Sequence, residues 1–186
     1  KLCLPAEAAE DIYLYADSDV IFLRPFDMAG LVTGQGVRLY RNPAGITAAM
    51  GEHAGWCQEA ARVLGLPAPQ MPCDDYINNL VTWTKANVLG LHRHIGQVTG
   101  RDWISAITAK RGFSEYSIYG FYVDQVLGTA SGHAPTPRPL ARTYWDRDAI
   151  PQGGLAGFEH ALAPDQVAVG VQSFIGEPVE KLRGFF

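Results

Sequence analysis

The sequence predicts a single domain of the α/β class across residues 1–186, with a mixed sheet flanked by helices. Two short apolar runs, IYLYA at 12–16 and VIFL at 20–23, are rich in β-branched and aromatic residues and lack the alternation of a half-exposed strand. We therefore expect both runs to be buried strands. Farther along, apolar residues recur at helical spacing, and strands interspersed with helices are typical of this class.

The composition fits one folded domain and excludes several classes of protein. The chain has 186 residues, of which 47% are hydrophobic and 18% charged, enough for one sizeable core and unlike a disordered or fibrous chain. Nineteen acidic residues against fifteen basic ones give a net charge of -4. Nucleic acid is therefore not an expected partner.

The cysteines and the charge-free stretches bear on location. Three cysteines without a C-x-x-C pair favour a reducing, cytoplasmic compartment over a disulfide framework or a cysteine zinc site. The longest stretches without charge, such as 28–37 and 166–176, fall well short of the roughly 20 residues that cross a bilayer. We expect no membrane span.

After the two apolar runs, the glycine-rich segment 28–51 predicts short strands and turns. A helix is expected over 53–65, ended by Gly65. Its apolar stripe consists of Trp56, Ala60, Val63 and Leu64. After a proline-rich loop, Asp74 and Asp75 are expected in the first turn of another helix, where negative charge is favourable.

The middle of the chain shows the clearest helix signals. Residues 80–84 predict a strand, and the apolar spacing that follows predicts a helix closed by Gly100. A further short helix is expected over 103–107. Ser114 is a predicted N-cap, with Glu115 in the first turn of the helix that it begins.

The last third of the chain gives weaker signals. The stretch APTPRP within 131–139 predicts a stiff connection without regular structure, and QVAVGVQ at 166–172 predicts a late strand. Gln172 and Ser173, at the end of that strand, are candidates to hydrogen-bond a ligand.

The central feature is the acidic tripeptide Asp17-Ser18-Asp19, at the end of the first predicted strand. Two carboxylates two residues apart can converge on one Mg2+ or Mn2+ ion, which prefers oxygen ligands and keeps positions for water or phosphate. In open α/β sheets, ligands bind beyond the carboxyl ends of strands. A second D-x-D, Asp146-Arg147-Asp148, follows no apolar strand, and we expect it in a solvated loop.

Four segments in this order carry a resemblance to a known family: YLYADSDVIFLRPF, DDYINNLVTW, TGRDW and FSEYSIYG. Together, over about residues 11–125, they resemble a bacterial family of glycosyltransferase-like proteins with the GT-A fold, much of it of unknown function. The resemblance implies a metal-dependent transferase that uses a nucleotide-sugar donor and a carbohydrate acceptor, working on a surface or capsular glycan.

The resemblance also implies roles for particular residues. Asp17, Ser18 and Asp19 would form the cofactor-binding motif, in which Asp17 and Asp19 hold Mn2+ or Mg2+ against the donor diphosphate and Asp19 is the stronger ligand. Glu115 would be the general base if the reaction inverts, because helix N-termini face the ligand crevice in such sheets. Asp75 is the rival catalytic or acceptor-binding acid.

A third metal ligand and the aromatic side chains stay open. The families resembled include some with a late histidine on the metal, and His133 and His160 are both candidates. Aromatic residues near the expected acceptor side either stack on sugars or pack in the core, and their helical spacing favours packing. They are Trp83, Trp103, Tyr116, Tyr119 and Tyr122.

The match departs from the family pattern at its start. A GT-A domain normally places its first nucleoside-binding βα units before the D-x-D strand, and only sixteen residues precede Asp17. We therefore expect the chain to be the C-terminal part of a longer protein.

Two other functions compete with the transferase. In a haloacid-dehalogenase-type phosphatase, Asp17 would attack phosphorus and Asp19 would act as general acid, but no lysine lies between Asp19 and Asp74, where that family needs one. A non-catalytic carbohydrate-binding module descended from a transferase would bind sugar or metal without turnover.

Overall fold

The structure, a computed structural model, describes residues 1–172 and contains ten short strands. They are β1 (Ile12–Ala16), β2 (Val20–Phe22), β3 (Val32–Thr33), β4 (Gly36–Tyr40), β5 (Asn42–Ile46), β6 (Cys73–Asp75), β7 (Leu80–Thr84), β8 (His133–Thr136), β9 (Ala141–Tyr144) and β10 (Ala168–Val171). The α-helices are α1 (Leu4–Glu7), α2 (Gly51–Leu64), α3 (Lys85–Thr99), α4 (Trp103–Thr108), α5 (Glu115–Phe121) and α6 (Gly154–Ala161). Tyr122–Val126 continues α5 as a π-helical turn.

The strands pair in four small sheets, two of which are mixed. β1 pairs with β7 and β5 with β6, both antiparallel. β10 lies between β2 and β9, antiparallel to β2 and parallel to β9, whereas β4 lies between β3 and β8, antiparallel to β3 and parallel to β8. The α/β class and the mixed pairing are thereby confirmed, and the GT-A arrangement stays a prediction.

The two apolar runs around the acidic tripeptide differ in burial. In β1, Tyr13 and Tyr15 are buried in the main core, whereas the residue between them is only partly buried and Ala16 is exposed, so the expected strand without alternation is wrong there. β7 beside it is buried at four of its five positions. The expectation of a second buried strand is wrong for β2, where Phe22 is 47% exposed. The physical reason is that, within the described part of the chain, β2 is an edge strand paired with β10 on one side.

Helices cover the β1–β7 pair and supply most of the main core. α2 packs against α3 and α5, and α3 packs against β7. Buried residues shared by these elements include Val63, Trp83, Val88, Leu91, Ile95 and Ile118. The predicted C-terminal ends of α2 and α3 are confirmed, because Gly65 and Gly100 adopt left-handed conformations directly after them. The predicted start of α5 is also confirmed, because the Ser114 hydroxyl accepts a hydrogen bond from the Ser117 amide.

Two predicted elements are wrong. Asp74 and Asp75 belong to strand β6 and not to a first helical turn. The chain after them avoids a helix because the side chains of Asp75 and Asn78 accept hydrogen bonds from the amides of residues 77 and 80, which are local turn bonds that compete with helix formation.

The second wrong element is the proline-rich connection, which contains strand β8. Among residues 1–172, β8 pairs with β4 and with no other strand, in parallel and through the register Val37 to His133. Proline lacks a backbone donor, so it is tolerated in an edge strand of this kind. Within residues 1–172, no helix is both long enough and apolar enough to cross a membrane.

Candidate acidic site and its cavities

The acidic tripeptide occupies the turn between β1 and β2, and two backbone bonds fix it to distant strands. The Asp17 amide donates to the Asn79 carbonyl (3.1 Å), just before β7 begins. The Val171 amide of β10 donates to the Asp19 carbonyl (3.2 Å). The predicted position of the acids at a strand end is therefore confirmed, while Ser18 is exposed in the turn and makes no side-chain hydrogen bond to a described residue.

The Asn79 side chain joins the two carboxylates. Its Nδ2 donates to Oδ2 of Asp17 (3.3 Å) and to Oδ1 of Asp19 (3.2 Å), and its Oδ1 accepts from the Thr143 hydroxyl. A Cβ added at Gly170 would lie 2.5 Å from Asn79 Oδ1, so only glycine leaves room for this amide. Asp17 and Asp19 are thus held facing a common point.

Lys1 and Tyr116 connect the acidic tripeptide to Glu115. Lys1 Nζ lies 2.6 Å from Asp17 Oδ1 and 2.9 Å from Glu115 Oε1, and 4.3 Å from the centre of the Tyr116 ring. The Tyr116 hydroxyl donates to the same Asp17 oxygen at 2.5 Å. The structure therefore brings Glu115, at the start of α5, to Asp17, at the end of β1.

Burial and mutual interactions shift the pKa values of the ionisable groups at this site. Burial, together with the charge of Asp17, raises the pKa of Asp19. Burial alone would lower the pKa of Lys1, but its hydrogen bonds to Asp17 and Glu115 outweigh that effect and raise it. Burial and the bond to Asp17 raise the pKa of Tyr116 well above its ordinary value. Lys1 is therefore charged and Tyr116 is a hydrogen-bond donor at neutral pH.

A first cavity of about 210 Å³ opens beside these residues. Asp17, Asn79 and Glu115 line it, and so does Gln172 at the end of the late strand. Its aromatic lining consists of Trp56, Phe113, Tyr116 and Trp145. Ser173, the other ligand-binding candidate there, lies outside the described residues.

Asp75 lines a second, larger cavity of about 430 Å³. The two cavities share Ile77, Asn78 and Trp145, so they are neighbours. Asp75 Oδ1 accepts the Ile77 amide at 2.8 Å, and burial raises the pKa of the Asp75 carboxyl. Asp75 and Glu115 are thus in adjacent cavities and do not share one.

Neither histidine candidate for a third metal ligand is placed at the acidic site. His133 is enclosed in the fold, where its Nε2 lies 2.7 Å from the Tyr119 hydroxyl and its Nδ1 lies 3.0 Å from the Val37 carbonyl. Both ring nitrogens are therefore occupied, and burial lowers the pKa of this imidazole. His160 is exposed on α6, and neither residue lines the two cavities.

The donor set fits a cation held by two protein carboxylates. Across residues 1–172, no cluster of three or more His, Cys, Asp or Glu side chains is arranged to hold a metal. Asp17 and Asp19 nevertheless share the Asn79 amide, and hard oxygen donors of this kind suit Mg2+ or Mn2+, which commonly take one or two carboxylates and fill the remaining positions with water and phosphate. Both oxygens of Asp17 already accept hydrogen bonds, so a cation at this carboxylate has to displace Lys1.

The predicted aromatic set is mostly core, as its spacing indicated. Trp83 and Tyr119 are buried and stack on each other with their ring centres 4.5 Å apart. Trp103 stacks on His92, and Tyr122 is buried beside His94. Within the set, only Tyr116 lines a cavity at the acidic site.

The sequence analysis did not identify two residues of the site, Lys1 and Asn79, and it named Tyr116 only as one of five aromatic candidates. Asn79 and Tyr116 lie within the segments DDYINNLVTW and FSEYSIYG, which were the available signal. Lys1 gave no signal, because a lysine outside any predicted element is typical of a solvated surface.

The fold and site define a mixed α/β domain in which an acidic turn, a helix-start glutamate and aromatic side chains surround a small cavity. The chain belongs to a family of unknown function, DUF6492, which matches residues 1–159. No curated protein matches the chain.

Proposed function

We propose that the protein is a metal-dependent glycosyltransferase of the GT-A type, which moves a sugar from a nucleotide-sugar donor to a hydroxyl of a glycan in the cytoplasm. The observation that carries the proposal is that Asp17 and Glu115 line one aromatic-lined cavity and share Lys1, while Asp17 and Asp19 share the Asn79 amide. Carboxylates that bind a cation and a separate carboxylate that can take a proton are the groups that this chemistry needs.

The three acids divide the work in this proposal. Asp17 and Asp19 would hold Mn2+ or Mg2+, which supplies Lewis-acid stabilisation to the departing nucleoside diphosphate. Tyr116 and Asn79 fix the orientation of the two carboxylates through their hydrogen bonds. Glu115 accepts the proton of the acceptor hydroxyl as that oxygen bonds to the anomeric carbon and the bond from this carbon to the diphosphate breaks.

Lys1 and Glu115 form an ion pair in which Lys1 Nζ lies 2.9 Å from Glu115 Oε1. The same ion pair occupies Glu115 Oε1, so Lys1 must move or share this oxygen when the acceptor hydroxyl arrives. Asp75 remains the alternative base, from the adjacent cavity.

Titration calorimetry with MnCl2 tests the metal site. Asp19→Asn is expected to weaken Mn2+ binding at least tenfold, because a neutral amide replaces a charged ligand. The matched control is Asp148→Asn in the second D-x-D, an exposed residue of a 3-10 segment that lines neither cavity, and it should bind Mn2+ like the wild type. Absence of Mn2+ binding by the wild-type chain, or equal binding by both variants, would refute the metal site.

Release of nucleoside diphosphate from a panel of uridine, guanosine and thymidine diphospho-sugars tests the reaction. Turnover is expected only with Mn2+ or Mg2+, and Glu115→Gln should abolish it while Mn2+ binding is retained. Sugar binding without turnover would favour the non-catalytic module. Hydrolysis of p-nitrophenyl phosphate that is lost in Asp17→Asn would favour the phosphatase.

A further inference from the structure

The second cavity brings together side chains from four separate elements. Tyr40 ends β4, His53 lies in the first turn of α2, Asp75 ends β6 and Trp145 directly follows β9. Its volume of about 430 Å³ lies within the range of about 300–1,000 Å³ that is usual for small-molecule sites.

The polar groups of this cavity can both donate and accept hydrogen bonds. Asp75 Oδ1 is bonded to the Ile77 amide, and Oδ2 has no hydrogen-bond partner among residues 1–172. Burial, with a smaller effect from the charge of Asp75, raises the pKa of Tyr40 to about 12, so its hydroxyl is a donor at neutral pH. The His53 imidazole lines the same cavity as the Asp75 carboxylate.

The Trp145 indole lies beside these groups and lines the same cavity. Trp145 is 44% exposed although it is one of the largest apolar side chains, and the His53 ring meets it edge-on with ring centres 5.7 Å apart. An indole at the mouth of a cavity, next to hydrogen-bonding groups, suits a ring that has an apolar face and hydroxyl edges.

The charges of the two cavities differ in a way that separates their ligands. Among the described residues that line the second cavity are one carboxylate, Asp75, and one guanidinium, Arg142, whose charges balance. At the acidic site, Asp17, Asp19 and Glu115 outnumber Lys1. A balanced cavity favours an uncharged ligand, whereas the acidic site favours a cation.

We propose that the second cavity binds the ring of a neutral sugar, with Trp145 as the stacking face and with Asp75, Tyr40 and His53 as hydrogen-bond partners of its hydroxyl groups. Trp145 also lines the cavity beside Asp17 and Glu115, so a sugar stacked on it would lie next to the proposed catalytic groups. Its assignment as the acceptor therefore rests on the proposed transferase. The binding itself needs neither metal nor nucleotide.

Saturation-transfer NMR on the full chain, without metal or nucleotide, tests the proposal. The probes are methyl β-glucoside, methyl β-galactoside, methyl α-mannoside and N-acetylglucosamine as neutral sugars, with glucuronate and glucosamine as charged ones. We expect signals from at least one neutral sugar that exceed those from both charged sugars. Asp75→Asn and Trp145→Ala should each reduce them at least fivefold.

Matched controls separate a lost site from a lost fold. Asp74→Asn changes the neighbouring acid of β6, which does not line the cavity, and Phe22→Ala removes an aromatic ring that is exposed to a similar extent as Trp145. Both should keep the signals. If Asp75→Asn fails to fold, Tyr40→Phe deletes a single hydroxyl from the same cavity and should reduce the signals as well.

The outcomes distinguish this inference from the proposed function. Absence of signal from every neutral sugar, stronger signals from a charged sugar, or signals unchanged by the cavity substitutions would overturn the sugar site, whether or not the protein turns over a nucleotide sugar. Sugar binding with no Mn2+ binding would leave the site in place and remove the transferase.

Discussion

Replacing Lys1 by methionine tests the charge arrangement of the acidic site most directly. The side chains of Lys1, Asp17 and Glu115 are 21%, 26% and 29% exposed, so both ion pairs are mostly covered. Exposed pairs contribute about 0–1 kcal/mol, while breaking a buried pair costs about 3–5 kcal/mol. For this partly covered group we expect Lys1→Met to lower the free energy of unfolding by about 1–2 kcal/mol.

Thermal unfolding measures this loss. In a chain of this size, each kcal/mol shifts Tm by about 2–4 °C, so Lys1→Met should lower Tm by about 2–8 °C. The difference should shrink in 0.5 M NaCl, where salt screens the part of the interaction that faces solvent. Lys110→Met is the matched control, because Lys110 is 63% exposed and 3.6 Å from Glu59, and its Tm should stay near that of the wild type.

Metal adds a second measurement on the same variant. Without the ammonium group, three carboxylates remain unbalanced, so MnCl2 should raise the Tm of Lys1→Met more than it raises that of the wild type. Equal Tm values for the variant and the wild type without metal would refute the reasoning. So would a smaller response of the variant to Mn2+.

Two further substitutions test other parts of the structure. Gly170→Ala places a Cβ 2.5 Å from Asn79 Oδ1, so we expect the free energy of unfolding to fall by about 1–3 kcal/mol and Mn2+ binding to weaken. Gly30→Ala is the control, because the space around Gly30 is open, and it should change neither quantity. Urea unfolding measures the stability and titration calorimetry measures the Mn2+ binding. The second prediction concerns pH. Burial lowers the pKa of His133 below 6.5, so below about pH 6.5 the unfolded chain binds a proton more readily than the folded chain does. The free energy of unfolding should therefore fall as the pH drops below about 6.5. His133→Gln should reduce the dependence of the unfolding free energy on pH by up to about 1.4 kcal/mol per pH unit. Urea unfolding at pH 5 to 7.5 measures this dependence.

Each of these two predictions has a contradicting result. Equal stability of Gly170→Ala and Gly30→Ala would mean that the Asn79 amide does not occupy the space beside β10. Identical pH slopes for His133→Gln and the wild type would mean that this imidazole titrates equally in the folded and unfolded chain.

The helices could be predicted because their signals are local. The stripe of α2 lies within one helix, and the glycines that end α2 and α3 act on the backbone immediately before them. The Ser114 cap acts three residues ahead. No contact with a distant part of the chain is needed for these features, so the sequence window that contains them is sufficient.

The two wrong elements depended on partners that a local window does not contain. β6 forms because β5 offers a strand to pair with, and Asn42 lies opposite Asp75 in that pair. β8 forms against β4, almost a hundred residues earlier in the chain, although it contains Pro135. Local propensity predicted the wrong structure at both places because a backbone hydrogen-bonded to a partner strand outweighs it.

The acidic site likewise combines positions that local sequence signals predict with contacts that only the fold creates. Asp17 and Glu115 were predicted separately, each from its place at the end of a strand or the start of a helix. Their connection runs through Lys1, 16 residues from Asp17, and the bonds of Tyr116 and Asn79 to Asp17 span 99 and 62 residues. Such separations leave no periodicity in the sequence.

By itself, the sequence determined the α/β class, the helices with their caps and the strand end that carries the two aspartates, because periodicity, capping and apolar runs act over a few residues. Only the tertiary structure decided that Asp75 faces a cavity of its own, that His133 is enclosed, and that an ammonium group and an amide hold the carboxylates in place. Those outcomes depend on which distant strands and helices meet, and that is settled by the packing of the whole core.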